Sequence, residues 1–190
     1  DLYHIPLNFC SLFLFSIPLM AFYRGKHEAV VRTVTTVLSG SAMLLMTIYP
    51  ALIYPAWDVE NYFSGYFSFH TVTFHGLVYF AYLLILTLRL YGDFGRRERR
   101  ATLISITVFS AVAATAAQLL KTNFTNMYQC NVPPLENVRQ SLISAWGYAP
   151  AQLTYVAGVT AGHILFLWGV FALSKLLARL ANRVFGEAKA

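Results

Sequence analysis

The chain has 190 residues, of which 57% are hydrophobic and 12% are charged, whereas a soluble domain averages about 25% charged residues. This composition excludes an ordinary water-soluble domain and indicates an integral membrane protein. The net charge of +6 does not indicate a nucleic-acid partner, because the basic residues stand in short clusters between apolar segments, as membrane topology requires.

Five apolar segments are each long enough to cross a bilayer, which takes about 20 residues of helix. Pro6, near the start of the first segment, suits a first helical turn, where its missing N–H costs nothing. The small residues at 39–41, Gly158 and Gly162 suit close approach between helices. In chain order the segments cover approximately residues 5–23, 30–53, 64–90, 101–120 and 151–177.

This pattern predicts an all-α fold, a polytopic membrane helix bundle with about five transmembrane helices and a long outer loop. We expect residues 1–190 to form a single transmembrane helical domain. The presence of further helices before Asp1 is left open.

The connections between the segments alternate in charge. Basic residues follow the first segment at Arg24 and Lys26, the third at residues 96–100, and the fifth from Lys175 onward. Cytoplasmic loops carry the excess of Lys and Arg. We therefore expect these three stretches and the C-terminus to face the cytoplasm, with the plasma membrane as the location.

The connection at residues 121–150 is long for a compact protein, and such loops are usually functional or disordered. It contains Asn123, Asn126 and Asn131 and lacks the composition of a flexible linker. We expect it to fold back over the outer face.

Three reactive side chains fall at similar depths in three segments. Cys10 lies 14 residues before Arg24, and His75 lies 14 residues before Arg89. At 1.5 Å per residue, both are about 21 Å from the inner boundary, and His163, 12 residues before Lys175, is about 18 Å from it. The spacing predicts a polar site in the outer half of the bilayer, where ionisable groups are rare and usually functional.

Each of these residues also has a structural interpretation. Cys10 is a small buried hydrophobe or a disulfide partner of Cys130. His163 is a third member of the site or a core histidine with its hydrogen bonds satisfied. His75 shares a helical face with Thr71, Tyr79 and Tyr82 but not with His70, so this face is a polar seam or a packing surface.

A thiol within reach of an imidazole supports nucleophilic catalysis, because the histidine accepts the thiol proton or lowers the thiol pKa. The two cysteines have no metal-ligand spacing. We therefore expect neither a metal site nor a cofactor.

The head of the first segment resembles the signature of the YwaF-like integral membrane proteins, which reads roughly Leu-Pro-Leu-His-Leu-Cys. Pro6, Leu7 and Cys10 match it, and Asn8 stands where that family often has His. Residues 74–76 look like its His-Gly element. Two further stretches, residues 123–134 and 146–150, are similar to its Asn-Tyr…Pro loop and to an aromatic-proline stretch that follows.

The YwaF-like family is distantly similar to a eukaryotic multispanning acyltransferase that remodels ether phospholipids through a cysteine. This resemblance implies that Cys10 is the acyl-accepting nucleophile and His75 its base. The departure at Asn8 leaves the role of that position open.

The leading hypothesis is therefore phospholipid acyl transfer through an acyl-cysteine, with membrane phospholipids as partners. Asn123, Asn126 or Asn131 would donate hydrogen bonds to the oxyanion, and we group Asn8, His70 and His163 with these three as binding residues. The alternatives are a vitamin-like small-molecule binding or transport subunit, or a structural subunit of a membrane complex, and a membrane-protein partner is left open.

Overall fold

The computed structural model describes residues 5–50, 59–130 and 132–185. His4, Asn131 and the end of the second apolar segment lie outside the described residues. A 3₁₀ helix at Phe9–Leu12 precedes the α-helices, and the described residues contain no β-strand. The α-helices are α1 (Phe13–Phe22), α2 (Glu28–Ile48), α3 (Tyr66–Thr87), α4 (Arg96–Leu120), α5 (Pro133–Trp146) and α6 (Tyr148–Phe185).

Among the described residues, four helices are long and apolar enough to cross a membrane: α2, α3, α4 and α6 over Tyr148–Val184. More than half of the apolar window of α2 (56%) is buried within the protein, against 17–28% for the other three. The outer surfaces of those three helices are therefore largely apolar and suited to lipid. The prediction of an all-helical membrane fold is confirmed.

The first apolar segment forms a shorter helix than its sequence pattern predicts. The apolar helix covers Phe9–Phe22, fewer than the roughly 20 residues of a full span. Pro6 is not in a first helical turn, because the backbone N–H of Leu7 bonds instead to the carbonyl oxygen of Ile5 (2.7 Å) and the helix begins only at Phe9. Pro18 lies inside α1, where it has no N–H to donate.

The connection between α4 and α6 contains a helix that its sequence did not lead us to expect. Helix α5 starts with prolines in its first turn, where a missing N–H is tolerated. It ends at Gly147, whose φ of 77° favours glycine. Residues 133–146 of the expected outer loop are therefore helical, and the folding of this connection back over the outer face stays a prediction.

The chain divides into two compact units. Within the described residues, the first unit contains residues 5–12 and 103–166, and the second contains residues 13–102 and 167–185. The expectation of one domain stays a prediction. The core of the first unit is a cluster of small and large apolar residues: Ala113, Ala114, Ala117, Phe124 and Met127.

In the second unit, helices approach closely at a glycine of α2. A Cβ added to Gly40 would lie 2.7 Å from the ring of Tyr82 and 3.2 Å from Oγ of Ser174. The hydroxyls of Tyr82 and Ser174 lie 3.3 Å apart. Gly40 therefore has the packing role expected of small residues, whereas no described atom lies within 4 Å of a Cβ built on Gly158 or Gly162.

Candidate functional site

Cys10 lies in the 3₁₀ helix at the head of the first apolar segment, in the first unit. Its side chain is half-buried, and both Cys10 and Cys130 are free thiols. The disulfide considered from the sequence is therefore not formed. A reduced thiol is one requirement of nucleophilic chemistry at cysteine.

The residue beside Cys10 packs against a histidine of the same unit. The ring of Phe9 lies 6.4 Å from the imidazole of His163 and 6.4 Å from the ring of Phe109. Among the described residues, the buried Nδ1 of His163 has no hydrogen-bond partner, and neither does the buried Oγ of Ser110. At Nδ1, His163 thus lacks the hydrogen bond of a satisfied core histidine, and its membership of the site stays a prediction.

The loop after α4 is tied to the segment that carries Cys10. The backbone N–H of Thr125 donates to Oδ1 of Asn8 (3.3 Å), and the Thr125 hydroxyl donates to the carbonyl oxygen of Leu7 (2.9 Å). Thr125 and Asn126 both have positive φ, 51° and 59°. A β-branched residue in this region is strained, and the two hydrogen bonds to Asn8 and Leu7 hold it there.

Two of the predicted oxyanion donors shape this loop. Oδ1 of Asn123 accepts hydrogen bonds from the backbone N–H groups of Tyr128 (3.3 Å) and Gln129 (3.2 Å). The backbone carbonyl of Asn126 accepts a hydrogen bond from the hydroxyl of Tyr155 (2.6 Å). These contacts fix the loop backbone, and the third predicted donor, Asn131, lies outside the described residues.

Two glutamine side chains also hydrogen-bond this loop to its neighbouring helices. The amide of Gln118 in α4 donates to the carbonyl oxygen of Met127 (2.8 Å). The amide of Gln152 in α6 lies within 3.2 Å of the same oxygen and 2.9 Å of the carbonyl oxygen of Tyr128. The buried carbonyls of the loop thus find partners without water, as buried polar groups require.

An ion pair that sequence reasoning missed anchors α5. Arg139, which is 7% exposed, bonds to both carboxylate oxygens of Glu136 (2.6 and 2.8 Å) and to Oε1 of Gln152 (2.9 Å). The Glu136 carboxylate also accepts the backbone N–H of Cys130 (2.9 Å). These hydrogen bonds, that of Arg139 first, lower the pKa of Glu136 from 4.5 to about 2. The Glu-x-x-Arg spacing after two prolines was the available signal for a helical ion pair.

The other two candidate histidines lie on α3, in the second unit. Nδ1 of His75 lies 2.8 Å from the carbonyl oxygen of Thr71, a contact that favours the tautomer with the proton on Nδ1. His70 is exposed and stacks between Tyr66 (6.0 Å) and Phe74 (5.8 Å). The ring of His75 also contacts Phe74 (5.5 Å between centroids), so the two histidines share this aromatic neighbour.

The candidate residues therefore fall into two groups. His70 and His75 belong to the second unit, so the pairing of Cys10 with His75 stays a prediction. Within the first unit, Asn8 and the loop residues are connected through Thr125, and Cys10 is one residue from the aromatic contact to His163. The first unit contains Asn8, Cys10, Asn123, Asn126 and His163.

Comparison with known proteins shows that the chain matches the model of a protein family. The profile of the TMEM164 family, an integral membrane family, matches residues 2–173. No curated protein and no solved structure gives a significant match. The matched range covers nine-tenths of the chain and includes every candidate residue described above.

Proposed function

We propose that this chain, which belongs to the TMEM164 family, transfers acyl groups between membrane phospholipids through Cys10. It is an integral membrane protein, and its apolar helices contact lipid. The proposal concerns the chemistry at the first unit and rests on the residues around the thiol.

One observation carries the proposal. Cys10 is a free thiol beside Phe9, whose ring packs on His163, and the buried Nδ1 of His163 has no partner among the described residues. A buried polar atom without a partner costs about 1–3 kcal/mol. Such atoms in native proteins call for an explanation, and a catalytic role is one. An imidazole nitrogen with a lone pair is the group that a cysteine nucleophile needs nearby.

The reaction needs no cofactor. His163 takes the thiol proton, and the thiolate of Cys10 attacks the ester carbonyl carbon of a phospholipid. The ester C–O bond breaks, the lysophospholipid leaves with the proton from the imidazolium, and the acyl chain remains as a thioester. A hydroxyl of a second lysolipid then attacks the thioester carbonyl carbon and gives its proton to His163. The C–S bond breaks, the new ester leaves, and the imidazolium returns the proton to the thiolate of Cys10.

The tetrahedral intermediates place negative charge on the former carbonyl oxygen, so a donor must lie beside the thiol. The amide of Asn8 is two residues from Cys10, and the contact of its Oδ1 with Thr125 fixes which way the amide is turned. We therefore place Asn8 ahead of Asn123 as the oxyanion donor. His75 remains the alternative base, which the variants below distinguish.

The proposed orientation constrains the acyl donor. With the basic stretches and the C-terminus in the cytoplasm of a plasma-membrane protein, Cys10 lies in the outer half of the bilayer. Acyl-CoA in the cytoplasm does not reach that depth, whereas a phospholipid ester does. The proposed reaction is therefore a transacylation.

The proposal is tested with purified protein in nanodiscs. The lipid is a diacyl phospholipid with one isotopically labelled chain, a lysophospholipid is the acceptor, and no acyl-CoA is added. We expect labelled chains on the acceptor with wild type and with Cys130→Ser, which changes the other thiol. We expect no transfer with Cys10→Ser.

Two results would count against the proposal. Transfer that appears only after acyl-CoA is added would contradict the transacylation. Equal transfer by wild type and Cys10→Ser would remove the thiol from the chemistry and favour the binding or subunit alternatives.

A further inference from the structure

The second unit contains a cavity that the proposed acyl transfer does not use. It has a volume of about 600 Å³ and lies between the end of α3, the connection to α4, and the second half of α6. Pockets for small ligands have volumes of about 300–1,000 Å³. The cavity is therefore of a size to hold a lipid headgroup or a small metabolite.

The lining of this cavity is strongly basic. Arg89, Lys175 and Arg179 contribute three positive charges, and Asp93 contributes one negative charge. Among the described residues, neither Lys175 nor Arg179 forms an ion pair. They are four residues apart on α6, and like charges at this spacing repel each other. An anion in the cavity would relieve that repulsion.

The walls of the cavity are held in place by polar contacts. The hydroxyl of Tyr91 lies 2.7 Å from Oδ1 of Asn182 and 3.0 Å from the carbonyl oxygen of Ala178. These contacts attach the connection between α3 and α4 to α6. The cavity is therefore formed in advance, which lowers the entropic cost of binding.

Apolar packing fixes the same connection. Phe94 is 4% exposed and packs edge-on against Phe171, with 5.4 Å between ring centroids. A Cβ on Gly92 would overlap the carbonyl oxygen of Ala29, so only glycine allows this approach of the connection to α2. Arg89 itself has a φ of 55°, a conformation that the anchored segment must maintain.

We propose that this cavity binds the negatively charged phosphate group of a phosphate ester, with Lys175, Arg179 and Arg89 as the charged ligands. A guanidinium forms paired hydrogen bonds to phosphate oxygens, and an ammonium adds a compact charge. The amide N–H groups of Asn182 add donors without charge.

The position of the cavity favours phosphate over a carboxylate. Lys175 marks the end of the apolar part of α6, and Arg89 follows the end of α3. Lipid phosphates lie at this level of a membrane, and basic pockets between membrane helices bind such headgroups. The same chemistry also accepts a soluble phosphate monoester, so the test has one arm for each source.

The lipid arm uses nanodiscs with equal amounts of phosphatidylglycerol and phosphatidylcholine, and counts the lipids that stay on the protein in native mass spectra. We expect wild type to retain phosphatidylglycerol preferentially. The Lys175→Gln/Arg179→Gln double variant should reduce that preference about thirty-fold, or about 2 kcal/mol, since each charge contributes about 1 kcal/mol. Each single variant should reduce it about five-fold.

Arg99→Gln is the matched control, because Arg99 is an exposed basic residue of α4 outside the cavity. The thermal unfolding midpoint of every variant is measured alongside. If the glutamine variants unfold, Lys175→Arg keeps the positive charge and should bind phosphatidylglycerol as wild type does.

In the soluble arm, glycerol 3-phosphate is titrated into the detergent-solubilised protein. Displacement of the bound phosphatidylglycerol identifies a soluble phosphate ester as the ligand, and persistence of the lipid identifies a headgroup.

The proposal is overturned if folded Lys175→Gln and Arg179→Gln retain phosphatidylglycerol as Arg99→Gln does. It is equally overturned if wild type shows neither a preference for the anionic lipid nor binding of glycerol 3-phosphate.

Discussion

Asn8 and Thr125 are 117 residues apart in the sequence, and the backbone N–H of Thr125 donates a hydrogen bond to Oδ1 of Asn8 (3.3 Å). The contact joins the segment that carries Cys10 to the loop after α4. Because Asn8 is two residues before Cys10, the backbone position of the thiol depends on the loop. A change in the loop should therefore alter the chemistry at Cys10 as well as stability.

The hydroxyl of Thr125 gives the first prediction. Thr125→Val keeps the shape of the side chain but leaves the carbonyl oxygen of Leu7 without its donor. We expect a loss of about 1–2 kcal/mol in the free energy of unfolding, measured by SDS titration in mixed micelles. Thr125→Ser keeps the hydroxyl and should remain within about 0.5 kcal/mol of wild type. Equal stability of the valine and serine variants would show that the hydroxyl does not hold the loop.

The ion pair of α5 gives a prediction about pH. Glu136→Gln leaves the buried guanidinium of Arg139 without its charged partner. At neutral pH we expect a loss of about 2–3 kcal/mol, less than the usual 3–5 for a fully buried pair because the side chain of Glu136 is 24% exposed. Ser144→Ala, an exposed change on the same helix, is the control and should have little effect.

The loss of stability should depend on pH with a defined sign. The pKa of Glu136 is lowered from 4.5 to about 2 by the hydrogen bonds from Arg139 and its neighbours. The carboxylate therefore stabilises the fold fully above pH 4.5, and this contribution disappears as the pH falls towards 2. The difference in thermal midpoint between wild type and Glu136→Gln should be large at pH 6 and smaller at pH 3. A difference that stays constant across this range would contradict the assignment.

The helix contact at Gly40 gives a third prediction. Gly40→Ala places a methyl group 2.7 Å from the buried ring of Tyr82, so the helices must move apart. We expect a loss of about 1–3 kcal/mol. Gly158→Ala is the matched control, because no described atom lies near its Cβ position, and should be neutral or stabilising by up to about 1 kcal/mol. Similar losses in both variants would contradict the close approach at Gly40.

The two histidines give a fourth prediction. His163→Gln should lower the rate of acyl transfer about 100-fold or more, the usual contribution of a general base. His75→Gln changes a histidine of the second unit that bonds to Thr71 of its own helix, and should leave most of the rate. The measurement is the nanodisc transfer assay with stability checked for both variants. The reverse order of effects would assign the base to His75.

The sequence predicted the membrane class and the long helices well, because apolar length alone decides which segments can span a bilayer. It predicted the first apolar segment and the connection between α4 and α6 less well. The first segment reads as a full span, but its helix begins only at Phe9, after Pro6, and is too short for one. Residues 133–146 read as a loop because their polar composition hid a helix that is stabilised by Arg139 and Gln152.

The sequence named the candidate site residues, but it did not predict which of them contact one another. Depth along separate helices grouped Cys10, His75 and His163 as candidates, but depth does not give rotation about a helix axis or the choice between His75 and His163, so the site itself stays a prediction. The contacts of Asn8 and Asn123 depend on a loop backbone with positive φ at Thr125 and Asn126, which no sequence pattern specified. Asn is frequent in such loops for this reason.

The most direct test of the central claim is the intact mass of the purified protein after incubation with a defined diacyl phospholipid, with wild type beside Cys10→Ser. We expect a hydroxylamine-labile increase equal to one acyl chain on wild type and none on Cys10→Ser. A folded wild-type protein that carries no adduct, or an adduct of equal amount on Cys10→Ser, would contradict an acyl-cysteine intermediate at Cys10.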